Sequence, residues 1–171
     1  SSGRTALAVS LAARVSGGLS CDSEREQSRL VAWLDAGNSL DVAGLQAAGV
    51  CMSQVLWLRG TGSKVNQKAL KAVDVLLDSK SFSLMVVDFV DLALHKVPQQ
   101  SSWWMRITRK LQSTDSALLV LSREPCVFQP ACRVAFSLGR SLDEALSFNV
   151  MHRGCGEVHS FSPVQLRRPC E

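Results

Sequence analysis

The sequence has no run of about 18 or more apolar residues, so no helix able to cross a bilayer, and no membrane partner, is expected. It has no basic segment leading into an apolar core and a small-residue cleavage site, so no secretory signal is expected. Its six cysteines (Cys21, Cys51, Cys126, Cys132, Cys155 and Cys170) lack the dense spacing of small secreted domains and read as reduced thiols of a cytoplasmic protein. Internal repeats and low-complexity blocks are absent. So is a Ser/His/Asp hydrolase signature, since Ser1 and Ser2 form no nucleophile elbow. A strong excess of one charge is also missing. Residues 101–171 carry nine Lys/Arg against six Asp/Glu, residues 1–100 carry ten against nine, and the net charge is +4. That bias permits a nucleic-acid partner without arguing for one. What remains is ordinary globular composition: 171 residues, 46% hydrophobic and 20% charged. This is enough for one substantial core, and it excludes a disordered tail, a collagenous fibre and a coiled coil.

Apolar runs alternate with helical periodicities. Residues 5–15 read as a helix with Ala6, Leu7, Leu11 and Val15 on its apolar side, ended by Gly17 and Gly18. The run 30–34 suits a buried strand stopping at Asp35. Residues 41–48 suit a short helix closed by Gly49, and 55–58 form a second apolar run. Residues 66–79 carry Ala69, Leu70, Val73, Leu76 and Leu77 at helical spacing. A third run, 84–87, stops at Asp88. Ser102 suits the N-cap of a helix over 103–112, and 118–121 form a fourth run. Then the period changes. Val134, Phe136 and Leu138 alternate, as do Leu146, Phe148 and Val150, the pattern of half-buried antiparallel strands. The expected fold is α/β: a mainly parallel sheet flanked by helices, with antiparallel strands at the C-terminal end.

Two features carry chemistry. Ser1-Ser2-Gly3-Arg4-Thr5 runs into the first helix, where a phosphate-binding loop places backbone N–H groups, a cation and a Mg²⁺-binding hydroxyl. Gly3 and Thr5 fit that pattern, and Arg4 stands where Lys belongs. The plain alternative is a Ser/Gly-rich N-cap with no ligand. Asp35 and Asp88 each follow an apolar strand, at the edge where open parallel sheets bind ligands. The plain alternative there is an Asp that caps the next turn.

In this order and with the text around them, the pieces resemble the bacterial RecA recombinase family. Ser2-Gly3-Arg4-Thr5-Ala6-Leu7 is similar to its phosphate loop. Leu34-Asp35-Ala36-Gly37-Asn38-Ser39-Leu40-Asp41, Ala47-Ala48-Gly49-Val50 and Val55-Leu56-Trp57 resemble the segment after its second strand. Residues 69–77 and 84–88 resemble its next helix and Mg²⁺-site strand, and Trp104-Met105-Arg106 through Arg123 the helix and strand that follow. The resemblance covers about residues 1–123 and is most specific over 33–58. The abbreviated shape, with Leu56-Trp57-Leu58-Arg59 and Leu121-Ser122-Arg123-Glu124-Pro125, is nearest to the ImuA/SulA-type RecA-like accessory proteins, a group implicated in the SOS response and damage-induced mutagenesis. It implies a single RecA-like P-loop domain over 1–171, with a core over about 1–123 and a β-rich extension over about 131–171. The chain opens inside the phosphate loop, so a fragment truncated at the N-terminus is expected. The resemblance further implies that Ser2, Gly3, Arg4, Thr5 and Asp88 face ATP, with Thr5 and Asp88 ordering Mg²⁺.

The departures from the family bear on activity. Arg4 replaces the loop lysine, and its planar fork contacts phosphate differently from an ammonium. Gly37 falls where the family has the Glu that activates water, and loss of a general base alone costs about 10²–10⁴-fold. Arg123 falls where the family has a Gln that senses the outer phosphate. The expectation is therefore weak or absent ATP hydrolysis with no catalytic residue assigned, ATP and Mg²⁺ being allowed ligands. The segments matching the family's DNA loops, 90–101 and 124–131, are short, and the second has no basic run. Lys96, Arg106, Arg109 and Lys110 are candidates to meet phosphates, against a solvated helix face. Trp103-Trp104 suggests one core Trp and one exposed as a partner anchor or base-stacking platform, with core packing preferred; Trp33 and Trp57 read as core. His152, Cys155 and His159, with Cys126 and Cys132, are metal-ligand types at spacing that fits a loop better than a zinc site. The function expected is an accessory protein in DNA repair, recombination or SOS mutagenesis that contacts repair or mutagenesis proteins, with single-stranded DNA a permitted partner. The alternatives are an active DNA-dependent ATPase whose base is Asp35 or Asp41, and an α/β interaction domain that binds no nucleotide.

Overall fold

A computed structural model of the chain describes residues 3–17, 29–60, 65–92, 101–124, 126, 127, 130, 132–136, 148–152 and 158–161. In order these form α1 (Gly3–Val15), β1 (Leu30–Asp35), α2 (Val42–Ala47), a 3₁₀ turn (Met52–Gln54), β2 (Val55–Arg59), α3 (Val65–Ser79), β3 (Phe82–Asp88), α4 (Ser101–Gln112) and β4 (Ala117–Leu121), then β5 (Cys132–Phe136), β6 (Phe148–His152) and β7 (Val158–Phe161). Residues 5–128 make one compact unit, and 129–171 with 1–4 make another. Among the described residues no helix is long and apolar enough to cross a membrane.

The first unit is an α/β fold around a four-stranded sheet, ordered β2-β1-β3-β4 with every pairing parallel. Strands buried on both faces read as continuous apolar runs, as 30–34 and 84–87 do. Side chains alternate across the sheet. Ala32, Leu34, Met85 and Val87 join Ala69, Val73, Leu76 and Leu77 of α3 and Trp103, Trp104 and Ile107 of α4. Val31, Trp33, Leu84, Val86 and Leu121 join Ala8, Ala12 and Ala13 of α1, with Leu45 of α2 and Val50 beyond it. Asp41 caps α2 by accepting from the Gly44 N–H at 3.0 Å, and Gly49 at φ 85° follows the helix in the left-handed region.

Four expectations change in detail. Of the expected apolar side of α1, Ala6 and Leu11 are exposed, Leu7 is half-buried and Val15 packs on the core, and the fully buried stripe is Ala8, Ala12 and Ala13. Small residues win there because they let the helix backbone approach the sheet. Trp57, on the edge strand β2, is only half-buried and lies under the Arg59 guanidinium at 4.6 Å. Trp103 and Trp104 are both buried, edge to face at 4.6 Å, which removes the exposed stacking platform. Ser102 does not cap α4, because the helix starts one residue earlier, at Ser101.

In the second unit β5, β6 and β7 form an antiparallel sheet in that order. Cys132 is register partner to His152, and Val150 to His159. Leu138, Leu146 and Cys155 lie outside the described residues.

Candidate functional site

The parallel register levels the carboxyl ends of the strands. Asp35 pairs with Arg59 on one side and Asp88 on the other, and Asp88 pairs with Leu121. Arg59, Asp35, Asp88 and Leu121 thus form one row along the edge where parallel sheets receive ligands. Helix α1 runs away from that row. Its C-terminal end is tied to the opposite edge: the Arg29 N–H donates to the Val15 carbonyl at 3.4 Å just before β1, and the Cys51 N–H donates to Ser16 Oγ at 3.0 Å ahead of β2. At 1.5 Å per residue a helix of this length rises about 20 Å, close to the span of β3. Its first turn, with half-buried Thr5, therefore lies toward the carboxyl edge. Gly3 and Arg4 are the first two residues of α1, and Ser2 lies outside the described residues.

The two carboxylates of the row are used differently. Asp35 is 1% exposed, and its two oxygens accept from the backbone N–H groups of Ser39 and Leu40, each at 3.0 Å. It staples the turn after β1. Asp88 is 8% exposed and accepts from the Val90 N–H at 2.9 Å through Oδ1. The strands extend past their formal ends, with Ala36 N–H donating to the Asp88 carbonyl at 3.1 Å and Phe89 N–H to Leu121 at 2.9 Å. Asp35 thus spends a hydrogen bond on each oxygen to hold its turn, and Asp41 spends Oδ1 on its cap while staying exposed.

A residue the sequence did not single out stands nearby. A Cβ built on Gly37 would come within 2.8 Å of the Asp91 Cβ, so the turns after β1 and β3 touch at a point only glycine allows. The partly exposed Asp91 carboxylate is 3.4 Å from Arg123 Nη2, which extends from the end of β4. An acidic side chain thus fills the space beside the position that lacks one. The available signal was spacing: Asp91 follows Asp88 by one turn of chain.

The basic face of α4 is largely engaged. Arg106 pairs with Asp74, and Lys110 lies 2.7 Å from Asp78 and 3.2 Å from Asp74. The Asp78 hydrogen bond, with help from Asp74, raises the Lys110 pKa above its ordinary value. Arg109 is exposed, and Lys96 lies outside the described residues. Among the described residues no group of three or more His, Cys, Asp or Glu side chains is placed to hold a metal ion. Two cavities are described, and neither is lined by Thr5 or Asp88. One lies against β1, β2 and α3; the other, at the opposite edge, lies between the starts of β3 and β4. The chain matches no protein-family model, and a search of curated proteins finds none similar to it.

Proposed function

We propose that this protein is a RecA-like accessory domain of DNA repair, recombination or SOS mutagenesis, acting by protein contact, with a P-loop-type site that holds Mg-ATP but turns it over weakly or not at all. The observation that carries this reading is the place of Asp88 at the carboxyl end of a buried interior strand of the parallel sheet, with no carboxylate offered at Gly37. The residues suit the ligand chemically: a Thr5 hydroxyl and an Asp88 carboxylate are hard oxygen donors of the kind Mg²⁺ takes, and the first turn of a helix suits phosphate. The direct test is ATP turnover with and without single-stranded DNA, alongside calorimetry with Mg-ATP. The expected result is a binding heat lost in Thr5→Ala and Asp88→Asn, with turnover at background. Robust DNA-stimulated turnover excludes the degenerate reading. Absence of any binding heat leaves the interaction domain without nucleotide.

A second reading has one specific observation in its favour. The Asp91 Cβ stands against Gly37, with its carboxylate turned to Arg123, so an active ATPase would draw its base from the turn after β3 instead of the turn after β1. In that case Asp91→Asn abolishes turnover while Asp41→Asn leaves it intact.

A further inference from the structure

We propose that the cavity at the carboxyl ends of β1 and β2, beside the first turns of α3, binds a small organic anion: a single ring or short chain bearing a carboxylate or phosphate. The site is independent of the nucleotide reading. It lies on the α3 face of the sheet, whereas α1 covers the other face.

The cavity holds about 200 Å³. That is below the roughly 300–1,000 Å³ of sites for drug-sized ligands, and it sets the occupant at one ring or a short chain. Leu34, Ala36, Leu58, Ala69 and Ala72 make an apolar lining, and the three alanines leave the space that larger side chains would close. Arg59 and Lys68 complete the wall. Asp35 also lines it, but both of its oxygens already accept backbone N–H groups. Its charge stands in the same wall, held by those N–H groups and within ion-pair distance of neither cation, so the wall carries two positive groups against one negative.

Arg59 is held ready. Its Nε donates to Asn38 Oδ1 at 2.7 Å, and its guanidinium lies over the Trp57 ring at 4.6 Å. Asn38 sits at φ 56° in the turn that Asp35 staples. The terminal guanidinium nitrogens of Arg59, and the Lys68 ammonium, have no hydrogen-bond or ion-pair partner among the described residues. Arg106, Lys110 and Arg123 all do. A stacked guanidinium with an unengaged fork is suited to a planar carboxylate or a phosphate. The helix dipole at the start of α3, where Lys68 stands, favours the same charge.

The test is titration of the full chain with benzoate, phenyl phosphate and inorganic phosphate, followed by amide chemical shifts and Trp57 fluorescence. At least one ring anion is expected to bind saturably, shifting the Ala36, Gly60 and Ala72 amides. Inorganic phosphate, without an apolar body, should bind at least about tenfold more weakly. Arg59→Ala should weaken the ring anion by about tenfold or more, the value of a charge-assisted hydrogen bond. Ala69→Leu should abolish binding by filling the cavity while leaving both cations in place. Lys68→Gln, at an exposed position, supplies a variant whose fold is not at stake, and it should also weaken binding. Three results overturn the proposal: no saturable shift with either ring anion, shifts that survive both Arg59→Ala and Ala69→Leu, or inorganic phosphate binding as tightly as phenyl phosphate. The nucleotide site is read separately, by Mg-ATP calorimetry on Thr5→Ala.

Discussion

The two faces of the parallel sheet are covered by helices of different character. On one, α3 and α4 bring Val73, Leu76, Leu77, Trp103, Trp104 and Ile107 against the strands, and ion pairs from Asp74 and Asp78 to Arg106 and Lys110 join the two helices. On the other, α1 offers only Ala8, Ala12 and Ala13 as fully buried residues, against Trp33 and Val86. Large interdigitating side chains stabilise through apolar area. An alanine stripe contributes little area but fixes how close a helix lies. The α3–α4 face therefore supplies most of the stability, and the α1 face fixes where the first turn of α1 stands. Trp104→Ala is the strongest way to probe this division. It removes a side chain 2% exposed and should cost about 3–5 kcal/mol by urea denaturation. Ala12→Leu should cost less, about 1–3 kcal/mol from overpacking, yet displace α1 enough to weaken Mg-ATP binding. Equal costs for the two substitutions, with no change in nucleotide binding, would break the comparison.

The same contrast recurs between Asp35 and Asp88, one strand apart. Asp35→Asn puts an amide donor where two backbone N–H groups require acceptors. It should cost about 1–3 kcal/mol and loosen the turn that holds Asn38. Asp88→Asn should weaken Mg-ATP binding, read by calorimetry, where Asp35→Asn acts first on the turn. Gly37→Ala meets the Asp91 Cβ and should destabilise measurably, with Asp91→Gly in the same chain restoring much of the loss. Independent, additive effects of those two substitutions would mean the turns do not touch.

How far such features can be read from sequence depends on the kind of contact that produces them. Continuous apolar runs ending in Asp mark a strand buried on both faces, so β1 and β3 are visible as text, as is α3 through its regular period. The buried face of α1 is not, because hydrophobicity ranks Leu11 above Ala12 while close approach to the sheet prefers the smaller residue. Trp57 reads as core because apolar strand text does not reveal which strand is an edge. Asp35 and Asp88 look alike in sequence. Their difference is a matter of which backbone N–H groups point at each carboxylate, and the turn residues carry no letter code for that. Asp91 is hidden for a related reason: its partner, Gly37, lies 54 positions away, and the contact exists only once β1 and β3 pair in register.

The ion pairs between α3 and α4 should give the smallest effect, and they sharpen the comparison by separating charge from packing on the larger face. Arg106 and Lys110 are partly exposed, so their pairs are screened by solvent and salt and should fall below every core substitution. Lys110 nonetheless leaves a signature, because its pKa is raised by Asp78 and Asp74. A lysine whose folded pKa exceeds its unfolded one stabilises fully below the unfolded value, about 10.5, and loses that contribution as pH rises through the higher folded value. Asp78→Asn should therefore lower the urea midpoint slightly at neutral pH, and the gap to wild type should close as pH rises through the folded Lys110 pKa. The sequence contains no tyrosine, so no phenol titrates in that window. A gap that stays constant across it would assign the Asp78 effect to α3 itself, and the α3–α4 face would then rest on its apolar contacts alone.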